Sequence, residues 1–269
     1  MRLKLILSPD NNSKLFPFNY NYHFSSAIYK LLQFGSPKFS EFLHESGYKI
    51  EGKSYKLFTF ALEFSKKPFI IDNMISLREQ KIYLHISSPL ISGFIENFVM
   101  GTLHKGLIDI QIENLKLALY INEVTSLAEP EIKSEVKIHL LSPMVLSAGY
   151  FENEKIKEKY LLHTDDINTV TSTLNKNLIN KFQLIHNQKY EGDLLKFNWD
   201  QKYINDRSSK NQKVTRKISI IKSGLRPVEI KANMIPFYLD GNPELIKVGL
   251  DTGFGAKNSM GFGMGEIRN

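Results

Sequence analysis

The sequence predicts an α+β chain in which one plan of strands and helices is laid out twice, and three observations predict it. The first is the order of segments over residues 2–121, where alternating apolar stretches are separated by two helical patterns: strand, helix, strand, strand, helix, strand. The second is a break over residues 125–131 (Thr-Ser-Leu-Ala-Glu-Pro-Glu), after which a similar order recurs. The third is a run of glycines, at 249, 253, 255, 261, 263 and 265, that leads into the last strand. The repeated plan is the ferredoxin-like (RRM-like) one, an antiparallel sheet with two helices on one face. The two expected domains are residues 1–125 and 126–269, the second ending in the glycine-rich loop.

Residues 2–7 alternate, with Leu3, Leu5 and Leu7 on one face and Arg2 and Lys4 on the other. An aromatic run without period follows (16–23). Ser25 or Ser26 then starts a helix as N-cap, Ala27, Ile28, Leu31 and Leu32 form its buried stripe, and Gly35 and Pro37 end it. A short second helix, 38–43, leads to His44 and a polar loop, 45–56. Residues 57–64 are aromatic and β-prone; 69–71 and 81–86 are short strands. Pro89 opens a helix to about residue 100, with Gly101 behind it, and 107–121 reads as a long strand or hairpin.

In the second half the expected elements are a strand at 135–141, a helix at 165–186, strands at 213–222 and 227–234, a helix at 242–250 and a closing strand at 261–267. The 165–186 helix has the clearest pattern. Thr164 is its expected cap, Asp165 and Asp166 suit its positive end, and Ile167, Val170, Leu174, Leu178, Phe182 and Ile185 form the apolar stripe. Asn175, Lys176, Lys181 and Gln183 read as its polar face. The basic stretch 196–217, with Trp199 and Tyr203, is either a solvated loop or an arm for RNA phosphates and bases.

The chain has 269 residues, a net charge of +7 and no cysteine. The charge leans towards a polyanionic partner, nucleic acid before membrane. Without cysteine there are no disulfides, Cys-based zinc sites or thiol nucleophiles. No apolar run reaches the ~18–20 residues that span a bilayer, and the alternating N-terminus is too short for a signal peptide. A cytoplasmic protein without cofactor or metal is expected. The histidines at 85, 104, 139, 163 and 186 are scattered without metal-ligand spacing.

So dense a glycine run implies positive φ or close approach of a partner, and bare amides beside Lys257 suit a phosphate. The plainer reading is a tight helix-to-strand connection with Phe254 and Phe262 in the core. The run is neither a P-loop nor a Rossmann fingerprint. Earlier in the chain stand Tyr29 at a helix edge, His44 at the end of a short helix and Lys56 in a polar loop. Their plainer readings are a packing tyrosine, a helix C-terminal cap and a solvated lysine.

Val248–Met264 (Val-Gly-Leu-Asp-Thr-Gly-Phe-Gly-Ala-Lys-Asn-Ser-Met-Gly-Phe-Gly-Met), with Asn21–Tyr29 and the stretches Phe42-Leu-His44-Glu and Lys56-Leu-Phe-Thr-Phe60, resembles the CRISPR-associated repeat-RNA endoribonucleases, the Cas-six family of the RAMP superfamily. The resemblance covers nearly the whole chain, and the glycine motif is its most specific part.

The resemblance implies a metal-independent endoribonuclease that binds CRISPR repeat RNA and cleaves precursor transcripts within the repeat. The ribose 2′-OH would attack the adjacent phosphate and leave 2′,3′-cyclic phosphate and 5′-OH ends. His44 would be the general acid or base, Tyr29 would orient or help deprotonate the 2′-OH, and Lys56 would stabilise the transition state, with Lys49 or Lys53 as alternatives and His23 as a substitute for His44. For RNA binding it implies Gly253, Gly255, Lys257, Asn258, Ser259, Gly261 and Gly263 of the loop, and Arg216, Lys217, Lys222, Arg226 and Lys231 of a basic hairpin. The partners implied are the repeat RNA, as precursor or product, and other CRISPR-associated proteins, with no membrane. The alternative is a non-catalytic repeat-RNA-binding subunit of an interference complex.

Overall fold

Leu3, Leu5 and Leu7 are buried on one face of the first strand, Arg2–Pro9, which places that strand inside an antiparallel sheet. In the computed structural model, which describes all residues except 12–13, 79, 113–114, 153–154, 222–225 and 269, this sheet has five strands. Their order is Thr59–Phe64, Ile82–Ser87, Arg2–Pro9, Leu115–Leu127, Leu107–Ile112. Helix α1 (Asn21–Gly35), α2 (Pro37–Glu45) and α3 (Glu96–Lys105) accompany it. Phe24, Ile28, Leu31 and Leu32 of α1 and Phe98 of α3 join the sheet's leucines and isoleucines in one core.

The second sheet repeats the order with four strands: Lys196–Trp199, Phe237–Asp240, Glu135–Leu140, Gly265–Ile267. In both sheets the strand that precedes the first helix lies between the third strand of the plan and the last, which is the ferredoxin-like arrangement expected. Helices α4 (Ile167–His186) and α6 (Pro243–Thr252) pack into a second core that includes Val170, Leu174, Leu178, Phe237 and Phe254, while α5 (Gln201–Ser209) buries no residue fully. Two hairpins are added: Ser147–Glu152 with Lys155–Tyr160, and Thr215–Ile220 with Val228–Asn233. Arg2 ties the sheets together, donating to the carbonyls of Leu250 (3.0 Å) and Gly265 (2.7 Å). Among the described residues no helix is long and apolar enough to cross a membrane.

Several elements depart from the expectation, each for a tertiary reason. Helix α1 begins at Asn21, a turn before Ser25; Tyr20 stands at its N-cap without a capping side chain, and Asn21 donates instead to Met260 O (2.9 Å). The helix expected over 89–100 is a π-turn at Ile91–Ile95 followed by α3, and Gly101 lies inside α3 rather than ending it. A Cβ at Gly101 would stand 2.0 Å from Leu31 O, and one at Gly35 would stand 2.2 Å from Asn97 O. These glycines therefore let α1 and α3 touch backbone to backbone. Asp166, not Thr164, caps α4 by accepting from the Thr169 amide (2.8 Å). The 196–217 stretch is an edge strand and α5 rather than a loop, and Phe197 and Trp199 are core residues. The hairpin at 147–160 had no counterpart in the sequence reading.

Candidate active site

The catalytic candidates are brought together by three neighbouring pieces of chain. Helix α2 opens with Ser36 as cap (its Oγ accepts from Phe39 N, 3.3 Å) and Pro37 in its first turn. Its Ser40 Oγ donates to Tyr29 O at 3.0 Å, which docks α2 on α1 beside Tyr29. His44 therefore leaves the last turn of α2 with its ring edge-on to Tyr29, centroids 5.5 Å apart at 90°. The chain then turns back through a small hairpin, Tyr48–Ile50 with Lys53–Tyr55. Its two turn residues, Glu51 (φ +47°) and Gly52 (φ +72°), give the primed two-residue turn that matches strand twist. Lys56 follows the hairpin and its Nζ donates to His44 O (3.2 Å).

Leu57, next to Lys56, is buried with φ +54°, where a bulky side chain is strained by about 1–3 kcal/mol. Ser88 Oγ donates to Leu57 O (2.8 Å) and holds this kink, which separates Lys56 from the strand beginning at Thr59. The hairpin is also fastened to the second half of the chain. Lys176 of α4 pairs with Glu51 (3.0 Å), and Asn180 Nδ2 donates to Glu51 Oε2 (3.4 Å) and Tyr55 Oη (3.3 Å).

The environments of the candidate groups differ. Burial pushes the Tyr29 phenol up to about 12, partly opposed by the polar Ser259 side chain. At neutral pH Tyr29 therefore keeps its proton and can donate a hydrogen bond. Burial, with the neighbouring Lys49 charge, lowers the Lys56 pKa. Lys49 and Lys53 are exposed, whereas Lys56 is half-buried against His44. His23 lies in the first turn of α1 with its ring 5.6 Å from Tyr22. It precedes Tyr29 by six helical residues, about 9 Å of rise and roughly 240° of rotation, and so lies on another face.

The glycine-rich loop is not the bare-amide loop expected. Its backbone is tied inside the protein: Phe254 N donates to Gly263 O (2.7 Å), Ala256 N to Val145 O (2.8 Å), Gly261 N to Asn258 O (2.9 Å) and Gly263 N to Pro143 O (2.8 Å). Gly253, Gly255, Gly261 and Gly263 are buried with positive φ, and a Cβ at Gly263 would stand 1.9 Å from Phe254 O. Asn258 is buried as well, donating to Phe254 O and Phe262 O. Phe254 and Phe262 are core residues, as the plainer reading had it. Lys257 (φ +60°) reaches Glu158 at 3.9 Å, and Ser259 faces the first half of the chain: its carbonyl accepts from Ser25 Oγ (2.7 Å).

Between loop, hairpin and α4 opens a groove of about 610 Å³ whose lining includes Lys53, Lys56, Lys176, Lys257, Asn177 and Ser259. Such a concentration of ammonium groups around one groove favours an anionic ligand. On the second added hairpin Arg216, Lys217, Arg226 and Lys231 are exposed, and Lys222 lies outside the described residues. Lys217 stands opposite Lys231 in register, a like-charge placement that costs stability, eased by a Lys217–Glu229 pair (2.6 Å). Among the described residues no three His, Asp or Glu side chains converge as a metal site.

Sequence reasoning missed Lys181. Its polarity put it on the solvent face of α4, but only 2 % of it is exposed, and its ammonium donates to Gly253 O (2.6 Å), Gly255 O (2.9 Å) and Asn258 Oδ1 (2.8 Å). Asn175 is buried likewise, bonding both backbone groups of Leu195. The signal was available for Lys181: it continues the spacing Leu174, Leu178 along the apolar stripe.

Comparison with known proteins bears on this geometry. Residues 15–124 match the family described as CRISPR-associated protein Cas6, N-terminal, and residues 127–267 match CRISPR associated protein Cas6, C-terminal. The chain is 30% identical over 268 residues, 98% of its length and 91% of the relative's, to a protein of Methanocaldococcus jannaschii named CRISPR-associated endoribonuclease Cas6 1. A Pyrococcus furiosus protein named CRISPR-associated endoribonuclease Cas6 is 25% identical over 99% of this chain and 90% of its own. A solved structure of a Cas6-related protein of Pyrococcus furiosus superposes with a TM-score of 0.80 at 23% identity, covering 100% of this chain and 98% of that one. Another, titled CRISPR associated protein Cas6, does so with 0.73 at 27%, covering 100% and 99%. With two ferredoxin-like sheets in tandem and both family descriptions matched in order, the chain belongs to the Cas6 family.

Proposed function

We propose that the chain is an endoribonuclease that binds CRISPR repeat RNA and cuts precursor transcripts within the repeat, without a metal ion, by attack of a ribose 2′-OH on the adjacent phosphate. The observation that carries this reading is the convergence of Tyr29, His44 and Lys56, of which Lys56 lines a groove that Lys53, Lys176 and Lys257 also line. The named relatives support the reaction class. The first half of the chain, to about residue 125, supplies the reacting groups, and the second supplies the loop and the basic hairpin.

In the reaction the 2′-oxygen forms a bond to phosphorus as its proton leaves, and the bond from phosphorus to the 5′-oxygen breaks as that oxygen gains a proton. The products are a 2′,3′-cyclic phosphate and a 5′-OH. His44, an exposed imidazole, is the group suited to give or take the proton at neutral pH. Tyr29 keeps its proton, so it orients the 2′-OH or a phosphate oxygen by hydrogen bonding rather than acting as a phenolate base. Lys56 places positive charge by the developing phosphorane, where a partly dry site strengthens it. Lys257, Arg216, Lys217, Arg226 and Lys231 hold phosphates and set affinity rather than sequence preference. The buried loop glycines and Asn258 shape the surface on which Lys257 stands.

The test is a 5′-labelled repeat RNA mixed with wild type in EDTA. Single-site cleavage that a 2′-deoxy substitution at the cut abolishes supports the reading. Tight binding with no cleavage would leave only the non-catalytic repeat-RNA-binding subunit.

A further inference from the structure

We infer that Asn180 is a positioning residue of the catalytic site: from α4, in the second half of the chain, it holds Glu51 and Tyr55 of the small hairpin and so places Lys56 against His44. The inference rests on the reading of Lys56 as part of the reactive set.

The hairpin needs such a hold. Among the described residues its strands, Tyr48–Ile50 and Lys53–Tyr55, pair only with each other, in three residue pairs. A lone two-stranded hairpin is marginal in water. From the first half of the chain, Phe42 of α2 stands edge-on to Tyr48 (centroids 5.2 Å apart), and Ser46 O accepts from Ser54 Oγ. From the second half comes Asn180, only 3% exposed. Its Nδ2 donates to Tyr55 Oη (3.3 Å) and to Glu51 Oε2 (3.4 Å). An ionised carboxylate only accepts, so the nitrogen end of the amide is the one that faces the hairpin. One amide thus reaches both the turn and the last residue of the hairpin. Packing alone would be served there by an apolar side chain, since a buried amide without partners is costly.

Tyr55 passes that order to the next residue. Lys56 stands between two fixed neighbours, Tyr55 on Asn180 and Leu57 on Ser88 (2.8 Å). From there its side chain crosses the end of α2 at close range. A Cβ on Gly47 (φ +61°) would stand 2.6 Å from Tyr55 O and 2.8 Å from Lys56 Cδ, and the ammonium ends on His44 O (3.2 Å). A hairpin that slips on α4 therefore carries the ammonium away from His44. In this way a helix of the second half sets a reacting group of the first.

The experiment uses the full chain with the same labelled repeat RNA. Asn180→Leu and Tyr55→Phe are each made in the wild-type and Lys56→Ala backgrounds, and single-turnover rate and RNA affinity are measured separately. The expected result is a fall of about 10- to 100-fold in rate at saturating RNA, the scale of a small misplacement of a reacting group, and no further fall in the Lys56→Ala background. A saturating rate that does not fall, or that falls equally in both backgrounds, would overturn the inference. Should Asn180→Leu fail to fold, Tyr55→Phe still tests the contact, because it removes one oxygen and keeps the packing. A readout independent of cleavage is the titration of Lys56, followed by its ¹⁵Nζ resonance and assigned by the loss of that resonance in Lys56→Arg. Burial and the Lys49 charge hold the Lys56 pKa down, so loosening the hairpin should move the midpoint up, towards that of an exposed lysine. An unmoved midpoint overturns the inference even if the wild type cuts no RNA, an outcome that would separately sink the cleavage reading.

Discussion

The glycine-rich loop and the small hairpin at 48–55 flank the same groove and are built in opposite ways. The loop is buried, its amides and carbonyls are bonded within the protein, and its positive-φ glycines sit where a Cβ would strike backbone. The hairpin is largely exposed, and a Cβ at Gly52 would meet nothing within 4 Å. The loop's geometry is over-determined by packing. The hairpin's rests on a turn type, the strained Leu57 that follows it and the contacts of Glu51 and Tyr55 with α4. The contrast teaches that half-buried Lys56, which follows the hairpin, stands on the lightly held side of the groove, while the tightly bonded loop forms the wall that faces it.

The sharpest way to break that comparison is to remove each side's central group. His44→Ala should lower the cleavage rate by about 10²–10⁴-fold, with the urea unfolding midpoint unchanged because the side chain is exposed. Loss of the fold instead would mean that His44 is structural. Gly263→Ala should do the reverse, costing about 3 kcal/mol or more in urea unfolding, since both its φ of +71° and the contact with Phe254 O forbid a Cβ. Gly52→Ala, also at positive φ but in open space, should cost only about 1 kcal/mol. Equal costs at the two glycines would erase the distinction between loop and hairpin.

Lys56 sharpens the picture through pH. Its folded pKa lies below the ordinary lysine value of 10.5, so it loses its charge at a lower pH than an exposed lysine would, and in the proposed mechanism the phosphorane loses its stabiliser with it. The pH–rate profile should fall on the alkaline side below that value. Lys56→Arg, which does not deprotonate, should remove this limb even if it slows the reaction; a limb that stays assigns it to another group. The smallest effect is expected on the basic hairpin. Lys231→Ala should reduce the slope of log affinity against log salt by about 1 and leave the cleavage rate at saturating RNA unchanged. An unchanged slope would remove that strand from the RNA path.

Local pattern was a good guide wherever neighbours in sequence decide. The alternation of Leu3, Leu5 and Leu7, the α4 stripe and the aromatic run holding Phe58 and Phe60 placed strands and helices within a few residues. The order of those elements carried the tandem ferredoxin-like plan, and quoted motifs carried the family resemblance. Pattern failed where a distant contact replaced a local signal. Helix α1 starts at Asn21 because Met260 O takes the Asn21 amide, and Gly101 lies inside α3 because Leu31 of α1 needs the space. Polarity misled at Lys181 and Asn175, where a polar side chain on an apolar stripe was read as surface.

By itself, the sequence determined the fold class, the family and the residue types able to move a proton and hold a phosphate, because periodicity and motif are properties of short stretches of chain. Only the tertiary structure decided that the glycine loop is buried rather than open, that Lys56 rather than Lys49 or Lys53 stands against His44, and that a lysine on α4 is buried against the carbonyls of Gly253 and Gly255 and the side chain of Asn258. Those outcomes depend on which groups far apart in sequence are excluded from water together. A buried polar group must find its partners there, and nothing in the local pattern names them.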